Sequence, residues 1–76
     1  MQHETEQREI PIRGETIRLG QLLKLAGIVD AGGELKDFLE HELVLVNGEA
    51  DRRRGRQLHP GDRVEVAGLT LRVAAG

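Results

Sequence analysis

Apolar residues change their spacing twice along this chain. Leu19, Leu22, Leu23 and Ala26 fall at i, i+3, i+4 and i+7, the period of one helical face, and predict a first helix. Gly27 follows where helices commonly end in left-handed backbone. Leu35, Phe38 and Leu39 repeat the spacing, with Lys36, Asp37, Glu40 and His41 on the solvated side. They predict a second helix starting near Gly32 or Gly33. From Leu43 the period drops to two: Val44 and Val46 alternate with Leu43 and Leu45, as in a strand. Asn47-Gly48 suits a type I′ hairpin turn, whose two central residues need positive φ, with Glu49–Arg52 as the return strand. His59-Pro60-Gly61-Asp62 is a second turn. Arg63–Val66 reads as a strand with Val64 and Val66 inward, Gly68 breaks it, and Leu69, Leu71 and Val73 alternate in a final strand. Upstream, Glu9–Arg13 carries Ile10 and Ile12 on one side and forms a short strand, at an edge because of Pro11. Thr16–Arg18 leads into the first helix. The order predicts an α+β domain: two short helices packed on a small, mostly antiparallel sheet. Residues 1–8 are expected to be a flexible polar tail and residues 9–76 a single domain.

Length and composition narrow the function. Seventy-six residues leave little core for an enclosed active site. Cysteine is absent, which removes disulfides, thiol nucleophiles and cysteine zinc sites. Met1–Glu9 lacks the apolar segment of a signal peptide, and no run approaches the roughly 20 apolar residues that span a bilayer. A cytoplasmic location, with no membrane partner, is therefore expected. The formal net charge is −2, but it is unevenly spread. Residues 1–51 carry 5 basic and 11 acidic side chains, and residues 52–76 carry 6 basic and 2 acidic. Such a dipolar domain can bind phosphate with one face while the rest stays acidic.

The candidate chemistry sits in Arg52-Arg53-Arg54-Gly55-Arg56. Guanidinium groups bind phosphate in bidentate fashion and stay charged at physiological pH. Phe38 is the only aromatic residue, so base stacking is not the mode of binding. Contacts to phosphates and 2′-hydroxyls of structured RNA remain. The competing account is a solvated loop whose charges pair with Glu49, Asp51 and Asp62. His3, His41 and His59 share no ligand spacing, so no metal is expected. Glu49 and Asp51 would share a strand face but lack a pocket or nucleophile, and catalysis is not expected. Gly32-Gly33 lacks the lysine and spacing of a phosphate loop. No cofactor is expected.

Several stretches taken together resemble the S4-like RNA-binding domain, or alpha-L motif, of the small stand-alone bacterial type. They are Arg18-Leu19 with Leu22-Leu23-Lys24, Ala26-Gly27, Gly32-Gly33-Glu34 with Lys36, Val44 to Glu49, Arg52 to Gly55, Leu58, and Gly61-Asp62-Arg63-Val64. The resemblance implies a non-catalytic module that binds structured RNA, ribosomal or transfer RNA, through the helix pair and the loop after the hairpin. Matched by position, the contacts would be Arg18, Lys36, Arg52, Arg53, Arg54 and Arg56, with Lys24 weaker. The chain departs from the family pattern at Ala31, where serine is usual and Asp30 is the nearest substitute cap, and at Leu35, where alanine is usual. It also departs at Glu42, usually glycine, and at Leu43 and Leu45, usually polar.

Two alternatives use other features. Small ubiquitin-like β-grasp carriers share a leucine-rich helix, a VNGE hairpin and a late Gly-Asp turn, but have one principal helix and a C-terminal Gly-Gly. This chain ends Ala74-Ala75-Gly76. An S4-like domain repurposed for protein binding would use Leu43 and Leu45 as its partner surface. Lys36 and Glu40 are also spaced for an i, i+4 ion pair. Leu43 is expected to end the second helix against Leu39, leaving only Leu45 exposed.

Overall fold

The computed structural model describes residues 6–30 and 34–76. Its elements are β1 (Glu6–Ile12), β2 (Ile17–Arg18), α1 (Leu19–Leu25), α2 (Glu34–His41), β3 (Val44–Val46), β4 (Glu49–Ala50), β5 (Gln57–Leu58), β6 (Arg63–Val66) and β7 (Leu69–Ala75). Five strands form one sheet in the order β1-β7-β6-β3-β4, and β2 pairs with β5 in a separate two-stranded piece. All pairings are antiparallel except β1 with β7. The fold is α+β, two short helices on a small, mostly antiparallel sheet. Two helices precede Val44, which separates it from the one-helix β-grasp alternative. Among the described residues no helix is long and apolar enough to cross a membrane.

One layer of core joins helices and sheet. Leu19, Leu22 and Leu23 of α1 and Leu35 and Leu39 of α2 pack with Val44, Val46, Leu58, Val64, Val66, Leu71 and Val73. The strand valines and leucines alternate with exposed residues, so one sheet face is buried and the other open. Helix α1 ends as Gly27 predicts. Gly27 has φ +77, its N–H donates to the Lys24 carbonyl, and the Ile28 N–H donates to the Leu23 carbonyl; together these bonds make a Schellman cap. Asn47 and Gly48 have φ +51 and +89 and join β3 to β4, with Val46 opposite Glu49. Ala67-Gly68, with φ +52 and +77, makes a second two-residue turn of this kind between Val66 and Leu69, where the sequence suggested only a break.

Several expectations are corrected. Strand β1 begins at Glu6, so Glu6–Arg8, expected in the tail, lie in the sheet in register with Leu69–Leu71. The ladder needs only backbone groups, and β7 supplies them, so a polar segment suffices. The rest of the expected tail, and the expected helix start at Gly32-Gly33 with Ala31, lie outside the described residues. The return strand stops at Ala50, because Asp51 turns inward and is buried. Leu43, expected against Leu39, is instead 66% exposed. Leu45 is half-buried on the open sheet face, in register with Ala50 and Glu65.

Candidate nucleic-acid interface

The loop between β4 and β5 is built around Asp51, whose side chain is only 7% exposed. Its Oδ1 accepts the Arg53 backbone N–H at 2.9 Å and the Arg53 Nε–H at 3.1 Å. Its Oδ2 accepts Arg53 Nη2 at 2.9 Å and Arg56 Nη1 at 2.7 Å. A buried carboxylate is tolerable only when satisfied in this way. The Arg53 side-chain bond, opposed by burial and helped by the Arg53 N–H and Arg56, holds the Asp51 carboxyl well below the usual carboxylate range. The loop closes with the Arg56 N–H on the Arg53 carbonyl.

The same loop is fastened to α1 through its backbone. The Leu19 N–H donates to the Arg56 carbonyl at 2.8 Å and the Gly20 N–H to the Arg54 carbonyl at 2.9 Å. These satisfy two helix-start donors that no side chain caps. The β2–β5 pairing sets Arg18 opposite Gln57 just beside them. Gly20 permits the approach: a Cβ there would lie 2.7 Å from Leu35 Cδ2 and 3.4 Å from the Arg54 Cβ and carbonyl oxygen. The loop, α1 and α2 converge on this one residue.

Two open grooves flank the loop. One, of about 380 Å³, is lined by Lys36, Leu39 and Glu40 of α2 with Arg52 and Arg54. The other, of about 290 Å³, is lined by Arg18, Gln21 and Lys24 at α1, with Leu35, Arg54 and Gly55. Arg54 borders both. The structure thus brings Arg18, Lys36, Arg52 and Arg54 together, with Lys24 beside them. None of these five makes an ion pair among the described residues, and the i, i+4 pair of Lys36 with Glu40 is not formed. Arg53 and Arg56 differ, because both are engaged by Asp51. Arg53 remains 73% exposed and Arg56 32%. Of the acids named as possible loop partners, only Asp51 serves. Glu49 makes no ion pair among the described residues, and Asp62 turns to Asn47 and His59.

That last contact belongs to a turn, not to the interface. Asp62 accepts the Asn47 side-chain amide at 3.1 Å and the His59 backbone N–H at 2.7 Å, while the Arg63 N–H donates to Asn47 Oδ1 at 3.0 Å. Burial would raise the Asp62 carboxyl; these bonds and the nearby His59 and Arg56 outweigh it and lower it. On the far side of α2, the His41 Nδ1–H donates to the Asp37 carbonyl at 2.9 Å. That bond, with the charges of Asp37, Glu40 and Glu42, raises the His41 pKa. Asp37, Glu40 and His41 bring ligand-capable atoms within 4.8 Å of one another, all on exposed side chains.

The sequence named Asp51 among the possible partners of the loop charges but missed its burial beneath them. An acid immediately before an arginine run, and five places before its last member, was the available signal. It was indistinguishable from a surface carboxylate until burial was known. What the arrangement offers chemically is a group of cations from a braced loop and two helices around two open grooves. The S4 domain family model matches residues 10–74. The chain is also 54% identical over 60 residues to the probable ribosome maturation protein RlbA of Bacillus subtilis (strain 168), covering 79% of this chain and 84% of that protein.

Proposed function

The chain belongs to the S4 domain family, and on that premise we propose that it is a non-catalytic module that binds structured ribosomal RNA during ribosome maturation. The observation that carries this is the grouping of Arg18, Lys36, Arg52 and Arg54 around a loop fixed to α1. Double-helical RNA presents phosphates and 2′-hydroxyls, while its major groove is too deep and narrow for side chains to read. Cations on a rigid base suit that target, and the lone, half-buried Phe38 does not suit single-strand stacking. Arg54, between the two grooves, would sit between neighbouring phosphates, with Lys36 and Arg52 on one side and Arg18 and Lys24 on the other. Arg53 adds its exposed donors, and Arg56, more buried, contributes least directly.

The test is binding to ribosomal RNA fragments, with transfer RNA as competitor, at two salt concentrations. Wild-type protein is expected to bind tightly at low salt and lose affinity steeply as salt rises. A variant with Arg52, Arg53, Arg54 and Arg56 all changed to alanine should bind more weakly. Its salt slope should flatten by up to about one unit per lost phosphate contact. A slope identical to wild type would remove the loop from the interface. Preference for transfer RNA would redirect the reading to that class.

A further inference from the structure

We propose that Asp51, an acidic residue at the centre of a basic site, is the positioning residue that makes the arginine loop competent to bind RNA, acting through Arg53 and Arg56. This rests on the RNA-binding function proposed above. Four neighbouring arginines repel one another, and an unbraced loop would spread them into solvent. Asp51 counters this from below: its two oxygens take both the side chain and the backbone N–H of Arg53, and the side chain of Arg56.

The geometry divides the four arginines into two kinds. Asp51 occupies one edge of the Arg53 guanidinium, Nε and Nη2, and leaves the remaining donors on a largely exposed group. Arg56 is drawn in as a brace. The backbone between them, closed by the Arg56 N–H on the Arg53 carbonyl, offers the Arg54 and Arg56 carbonyls to Gly20 and Leu19. Bracing at Asp51 therefore fixes the direction in which Arg52 and Arg54 leave the chain, toward Lys36 and toward Arg18. A site assembled before RNA arrives spares the ordering of long side chains on binding.

The consequence opposes simple electrostatics. Replacing Asp51 by asparagine adds a positive unit to the net charge beside the interface, and charge alone predicts tighter RNA binding. Positioning predicts weaker binding. The experiment measures ribosomal RNA affinity of wild type, Asp51→Asn and Asp51→Ala at a temperature where all are folded by circular dichroism. A Leu71→Val variant, destabilised in the core away from the loop, serves as the stability control. Nitrogen NMR follows the Arg53 Nε–H in the free proteins.

Affinity is expected to fall about ten-fold in both Asp51 variants, as the loop side chains must then be ordered on binding. The Arg53 Nε–H signal should lose its protection from solvent exchange, while Leu71→Val keeps wild-type affinity. Equal or tighter binding by Asp51→Asn would overturn the proposal while leaving the RNA function intact. An affinity loss of the same size in Leu71→Val would reduce Asp51 to general stability and overturn it as well. Failure of the wild-type protein to bind would instead remove the RNA function itself, and this role for Asp51 with it.

Discussion

Gly20 and Leu35 should be energetically coupled, and the sign of that coupling can be worked from the structure. A methyl group added at position 20 would meet Leu35 Cδ2 at 2.7 Å, well inside the roughly 3.5–4.0 Å optimum for carbon pairs. Leu35 is 5% exposed, so relieving the contact means shifting a packed core side chain whose outer edge borders the groove beside Arg54. Overpacking of this kind costs about 1–3 kcal/mol. The gain in helix propensity from glycine to alanine is only about 0.5–1 kcal/mol. Gly20→Ala alone is therefore expected to destabilise by about 1 kcal/mol. Leu35→Ala alone should cost about 2–4 kcal/mol through lost burial and a cavity. With Leu35 already truncated, the clash at Gly20 is gone and the added methyl fills vacated space. In that background Gly20→Ala should be neutral or stabilising by about 0.5–1 kcal/mol. The double-mutant cycle then shows a coupling of about 1–2 kcal/mol, within the range for contacting residues. Urea unfolding of the four proteins measures it through the midpoints at constant slope. Coupling below about 0.5 kcal/mol, the ordinary limit of additivity, would refute the claim that Gly20 is held small by Leu35.

Three further outcomes follow from other sites. The Asp51 carboxyl is lowered in the folded state, so its stabilisation is fully present above the unfolded aspartate value of about 3.9 and is lost as pH falls below it. Wild type should therefore lose more urea stability than Asp51→Asn on acidification from pH 5 to pH 3, and parallel losses would show that the ion pairs add nothing. Ala67 has φ +52, strained for any residue but glycine or asparagine, so Ala67→Gly or Ala67→Asn should gain about 0.5–1 kcal/mol and several degrees in melting temperature; no gain would show that the turn is relaxed with alanine. The His41 midpoint, followed by proton NMR, should lie above the ordinary histidine value of 6.5 and fall in Asp37→Asn, while an unshifted midpoint would deny the Asp37 contact in solution.

How far the sequence could be read depended on whether a feature has a period or a special backbone angle. Leu19, Leu22 and Leu23 announce α1 by spacing, Gly27 its end, and Asn47-Gly48 the hairpin, because each constraint is local. The β2–β5 pairing was invisible: Ile17–Arg18 and Gln57–Leu58 are two-residue strands, too short to show alternation. The start of β1 was missed because Glu6–Arg8 contributes backbone bonds and no apolar side chain. Leu43 was misplaced because helix spacing continues through it, although the chain has already turned at Glu42. Within the candidate site, Arg52, Arg53, Arg54 and Arg56 look equivalent in the sequence. Only the burial of Asp51 separates the two that it holds from the two left free. Leu35, a departure from the family's usual alanine, became intelligible once Gly20 was found against it.

The parallel pairing of β1 with β7 also says something about the order in which this domain comes together. It joins the two ends of the described chain, whereas β3–β4 and β6–β7 are close hairpins and β3 meets β6 across the intervening arginine loop and β5. Contacts between distant segments carry a larger loop-closure entropy and tend to form late. Strand β1 also contributes few apolar side chains, chiefly Ile10 and Ile12. It is expected to be the last strand to dock and the first to open, so its amides should exchange with solvent sooner than those of β6; uniform protection would mean that the sheet opens only as a whole. Until β1 docks, the outer edge of β7 is left unpaired. The arginine loop, which follows β4 at the other edge of the sheet, then forms without waiting for β1.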